Sequence, residues 1–205
     1  MKNLAIFCAD VGSIKAKKFG WAAITPDSNA PESGPDIEEF VSLIYKSIGL
    51  EHKVAIGFEC PLFVPMRSNP LLVNSSRKGE GNRSWSASAG TGALATGLVE
   101  VLWVMNQLTE KLGKPPIAEL NWDAFQSSNT IFLWEAFVTS TAKGSGHSGD
   151  AIIAIDCFVN ALPQLSHANA IDEHSVLSLV GAAALRAGWS TDLNLLSMPC
   201  IVIKA

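Results

Sequence analysis

Apolar residues in this chain follow two rhythms. Short unbroken runs, Leu4-Ala5-Ile6-Phe7-Cys8-Ala9, Val54-Ala55-Ile56-Gly57-Phe58 and Ile131-Phe132-Leu133-Trp134 continuing to Val138, suit strands covered on both faces. Between them the spacing turns helical. Asp36-x-x-Glu39 resembles a capping box and precedes Phe40, Val41, Ile44 and Ile48, with Gly49 as the stop. Leu94, Leu98, Val101, Leu102, Met105 and Leu108 form a second stripe, closed by Gly113 and Pro115-Pro116.

Weaker signals fill the rest. Phe19 to Ile24 reads as a hairpin partner of the first run, and Pro26 to Pro35 as a polar loop. Ile117 to Asn129 is ambiguous, with room for a short strand. Gly144-Ser145-Gly146 leads into a helix from Ser148 to Leu162, Asp172 reads as the N-cap of another helix stopped by Gly188, and Cys200 to Ile203 as a last edge strand. Strand, helix, strand in succession implies a crossover and parallel neighbours. No repeat or boundary divides the chain, so residues 1–205 are expected to form a single domain, with 64–90 as a long basic loop inside it.

Composition narrows the class. The chain has 205 residues, 48% of them hydrophobic and 17% charged, enough for a sizeable core. Its first residues show no leader-like succession, and the Gly92 to Leu108 stripe is interrupted by Glu100, so a membrane partner is not expected. Cysteines at 8, 60, 157 and 200 form no C-x-x-C pair and read as small buried hydrophobes in a reducing, cytoplasmic setting. A net charge of -4 argues against a surface that coats a polyanion, though not against a local basic groove.

Candidate chemistry lies in three acids. Asp10 ends the first run and Glu59 ends the second; ligands of open parallel sheets bind beyond such carboxyl ends. Asp150 stands in the first turn of a late helix. Like charges brought together call for a cation, and hard oxygen donors suit Mg2+. Two such ions would stabilise the attacking and leaving oxygens of a phosphodiester.

Asp10-Val11-Gly12, Glu59 with the following Cys60-Pro61-Leu62, and His147-Ser148-Gly149-Asp150-Ala151 resemble the ribonuclease H-like superfamily. Within it the likeness is to Holliday-junction resolvase-like proteins and to uncharacterised predicted nucleases. The resemblance implies an α/β fold with a mixed five-stranded sheet flanked by helices, with an extra edge strand allowed. It further implies Mg2+ or Mn2+ held by Asp10, Glu59 and Asp150, with His147 as a catalytic auxiliary and nucleic acid as the substrate partner. A fourth carboxylate is not evident in the sequence: Glu38 and Glu39 fit helix capping, and Glu135 is the candidate substitute.

Each residue also has a plainer reading. Asp10 suits a turn before Gly12, and Asp150 suits the helix dipole whatever the function. Lys15 is either a phosphate contact or a solvated hairpin tip. Arg67, Arg77, Lys78 and Arg83 either grip a nucleic-acid backbone or keep a loop soluble, with Trp85 as a stacking surface. Two rival functions follow: a nucleotide-binding or phosphotransferase protein of acetate- or sugar-kinase-like fold, and an inactive interaction module of the same fold. A homodimer is left open.

Overall fold

A computed structural model describes residues 3–28, 30–138, 142 and 144–205. The strands are β1 (Leu4–Asp10), β2 (Gly20–Ile24), β3 (Glu32–Gly34), β4 (Lys53–Glu59), β5 (Phe63–Pro65), β6 (Ala118–Glu119), β7 (Ile131–Phe137), β8 (Val176–Ser178) and β9 (Val202–Lys204). The helices are α1 (Ile37–Gly49), α2 (Ala89–Leu112), α3 (Trp122–Ser127), α4 (His147–Ala161) and α5 (Leu179–Arg186). No helix among the described residues is long and apolar enough to cross a membrane.

The main sheet is mixed and has seven strands, ordered β3-β2-β1-β4-β7-β6, with β9 also pairing β7. That corrects the expected five. β3 lies in the segment read as a polar loop, and its Glu-Ser-Gly sequence carries no apolar alternation because it pairs only with β2 at the sheet edge. β6 and β9 share the far edge of β7, beside Ile131–Phe132 and Glu135–Phe137 respectively. β1 runs antiparallel to β2 and parallel to β4, which is parallel to β7.

Alternation of side chains across the sheet sorts the core into two layers. Ala5, Phe7 and Ala9 of β1 with Val54, Ile56 and Phe58 of β4 pack against α1, α2 and α5 through Phe40, Ile44, Val101, Met105, Leu108 and Val180. Ile6, Cys8, Ala55, Phe132, Trp134 and Ala136 face the other way, onto Ala151, Ile155 and Phe158 of α4 and Trp122 of α3. Helices therefore cover both faces of the central strands.

Local chemistry explains most boundaries. The Asp36 carboxylate caps α1 by accepting from the N–H groups of Glu38 (2.7 Å) and Glu39 (3.3 Å). Asp172, expected as a cap, instead pairs with Lys78, and α5 starts later, where the Ser178 hydroxyl accepts from Gly181 N–H at 3.1 Å. The 176–178 segment before it is a strand, forming a separate two-stranded sheet with β5.

Candidate metal centre

Register alone brings two of the acids together. Asp10 pairs with Glu59 across the parallel β1–β4 ladder, so both side chains leave the same face of the sheet at its carboxyl end. By parity that face is the one α4 covers. Asp150, buried in the first turn of α4, completes a group in which one ligand atom from each carboxylate lies within 4.8 Å of the others.

α4 can come this close because β2 begins with glycine. A Cβ on Gly20 would stand 2.3 Å from Ser148 N and 2.5 Å from the His147 carbonyl carbon, inside the helix backbone. The approach is fixed further by the Ser148 hydroxyl, which donates to Gly34 O at 3.0 Å. Gly144 N–H donates to Asp150 Oδ1 at 2.6 Å and sets that carboxylate's rotation. His147 Nδ1 meets Asp10 Oδ2, and the imidazole stays partly exposed. Oxygen donors from two strand ends and a helix could together hold a metal ion.

Two of the three acids, Asp10 and Glu59, line a cavity of about 690 Å3. His147 lines it with them, as do Asn82, Arg83, Ser84, Trp85 and the first turn of α2. Lys18 reaches this cavity, whereas Lys15 does not line it.

The basic loop is differently disposed from a free phosphate-gripping arm. Arg67 is paired with Glu173 through both terminal nitrogens (2.8 and 2.6 Å), and Lys78 with Asp172. Arg77 is buried, donating to Glu135 at 2.8 and 2.6 Å and to Glu80 at 2.9 Å. Burial works against its charge, yet those two carboxylates raise its pKa above the ordinary arginine value. Arg83 is exposed and has no carboxylate in ion-pair range among the described residues.

Glu135 is not brought to the triad, which corrects its expected role as a substitute ligand. It pairs in register with Phe58, one residue out of step with Glu59, and so projects from the opposite face. There both its oxygens are occupied, by Arg77 and by Leu62 N–H at 2.9 Å.

The acid that sequence reasoning passed over is Glu100. It lies on the buried stripe of α2 with Gly97, Val101 and Val104, and its Oε2 accepts from Gly12 N–H at 3.3 Å. A carboxylate in register with a helix's apolar face was the available signal. Burial pushes its pKa up to about 7; the Gly12 hydrogen bond opposes this and the nearby Asp10 charge adds to it.

Glu100 therefore makes stability depend on pH. Its folded pKa of about 7 exceeds the ordinary 4.5, so the folded protein holds this proton more tightly, and stability falls as pH rises between those values. In EDTA, Glu100→Gln is expected to remove this contribution, which is at most roughly 3 kcal/mol, and to be the more stable protein above pH 7. Urea midpoints at pH 5 and 8 check it: equal pH dependence in both proteins would show that Glu100 is not the responsible group.

Comparison with family models, curated proteins and solved structures gives no match.

Proposed function

We propose that this protein is a divalent-metal-dependent phosphodiesterase of ribonuclease H-like type acting on nucleic acid. The observation that carries the reading is the convergence of Asp10, Glu59 and Asp150, from two parallel strand ends and a helix start, beside a cavity. A divalent cation bound there would supply charge to stabilise the oxygens that gain negative charge as a phosphodiester is cleaved.

The chain's own residues do the rest. Asp10 and Glu59 are held at fixed separation by the β1–β4 ladder, so they need little reorganisation to act as ligands. Gly144 N–H orients Asp150 as a supporting hydrogen bond orients a ligand. His147, its ring fixed through Nδ1 by Asp10, lines the cavity and can pass a proton to or from an ester oxygen. Glu100 braces the Asp10-Val11-Gly12 turn from behind through Gly12 N–H.

The test is hydrolysis of nucleic-acid and small nucleotide phosphodiesters in Mn2+, alongside calorimetric titration of the metal. Saturable Mn2+ binding with metal-dependent cleavage is the expected result. If Mn2+ binds and every ester stays intact, the inactive-module reading replaces this one; if Mn2+ does not bind, the metal centre itself is refuted.

A further inference from the structure

We infer that the cavity takes a single nucleotide of a phosphodiester, either a strand terminus or a free nucleotide ester, and not an internal stretch of duplex. This inference rests on the phosphodiesterase reading and specifies its substrate.

Three observations lead there. First, Asp10 and Glu59 line a cavity of about 690 Å3, a volume within the range of about 300–1,000 Å3 usual for small-molecule sites. Second, three of the four cations in the 64–90 loop are already neutralised. Duplex binding draws its affinity from many phosphate contacts, about 6–10 in a strongly salt-dependent binder. Here Arg67, Arg77 and Lys78 are committed to Glu173, Glu135 with Glu80, and Asp172, so Lys18 and Arg83 are the cavity-lining cations without a carboxylate in range among the described residues. That number suits one phosphate group, not many.

Third, the segment that lines the cavity with Trp85 is built and anchored. Trp85 N–H donates to Glu80 Oε1 at 3.1 Å, its indole N–H to Ser75 O at 3.0 Å, and the Ser86 hydroxyl to Asn74 O at 2.6 Å. Glu80 is in turn tied to Arg77, which is locked into the β7 face through Glu135. The half-buried Trp85 thus presents an aromatic surface on a fixed support, and Asn82 and Ser84 beside it offer hydrogen bonds to a base. The phosphate would lie toward Asp10 and Glu59, with Arg83 and Lys18 balancing its charge.

The reaction balances as a hydrolysis. Water oxygen bonds to phosphorus, the ester P–O bond breaks, the leaving oxygen takes a proton, and a nucleoside monophosphate and an alcohol result.

Three probes in Mn2+ test this: a short linear single strand, a covalently closed single-stranded circle of the same sequence, and the p-nitrophenyl ester of thymidine 5′-monophosphate. Expected is release of mononucleotides from the linear strand with the circle intact over the same period; cleavage of the p-nitrophenyl ester as well marks free nucleotide esters as a second source. Calorimetry should show thymidine 5′-monophosphate binding to the Mn2+-loaded protein, weakened about 10-fold by Trp85→Ala while Mn2+ affinity is unchanged. Circle cleavage as fast as that of the linear strand, or monophosphate binding insensitive to Trp85→Ala, overturns the inference and leaves the phosphodiesterase reading standing. Absence of Mn2+ binding removes both.

Discussion

Asp10→Asn is expected to abolish Mn2+ binding and to reduce metal-dependent phosphodiester hydrolysis by about 1000-fold or more, equivalent to roughly 4 kcal/mol of transition-state stabilisation. The replacement is nearly isosteric, but it removes a charge from the position where β1 and β4 bring two carboxylates into register. Wild type in Mn2+ at about 100 times its dissociation constant should gain about 2.7 kcal/mol of stability, and the variant none. Metal-free behaviour separates a ligand from a structural turn residue. In EDTA the variant should unfold within about 1 kcal/mol of wild type, because losing the His147 contact is offset by less charge crowding among Glu59, Asp150 and residue 10. Thermal unfolding with and without Mn2+ checks both statements. Equal metal-induced stabilisation in the two proteins would show that Asp10 is not a ligand.

The parts of the fold that could be read from sequence are those whose side chains are buried on both faces. β1, β4 and β7 are unbroken apolar runs because α1, α2 and α5 cover one face of the sheet and α3 and α4 the other. Edge elements lack that constraint. β3 is Glu-Ser-Gly with its first two residues exposed, and β5 and β8 gain their strand character only from each other, across more than a hundred residues of sequence. Asp172 fits a cap by local pattern, yet the residues after it pair with β5 as a strand, so the helix starts only at Leu179 and Asp172 meets Lys78 at the surface instead.

The site divides in the same way. Asp10 and Glu59 were accessible because strand ends and parity are local properties of the sequence. The same parity rule excludes Glu135, but applying it requires the β4–β7 register, which pairs it with Phe58 and which no local pattern supplies. Glu100 was legible as an acid in an apolar stripe; its partner, Gly12 N–H, lies 88 positions away. The basic loop was misleading because Arg67, Arg77 and Lys78 are counted as free charges until Glu173, Glu135, Glu80 and Asp172 are placed beside them.

Of these pairings the Arg77 network supports the second large prediction. Arg77→Met is expected to cost about 3–5 kcal/mol, because it leaves the carboxylates of Glu135 and Glu80, each with a side chain 1% exposed, without their cation. The guanidinium also lies 4.7 Å from the Phe63 ring centroid, a contact that methionine replaces only in part. Arg77→Met with Glu135→Leu should recover much of the loss. It removes one stranded charge, and Glu80 keeps N–H donors from residue 77 (2.7 Å) and Trp85 (3.1 Å). Urea unfolding of the two single variants and the double variant measures the coupling. A single Arg77→Met variant within about 1 kcal/mol of wild type would show that the pair is not energetically significant. The damage should also be directional. Arg77 anchors the wall that carries Trp85, whereas Asp10, Glu59 and Asp150 are set by β1, β4 and α4; at temperatures where the variant stays folded, nucleotide binding should weaken and segment 74–90 become protease-sensitive while Mn2+ affinity is retained.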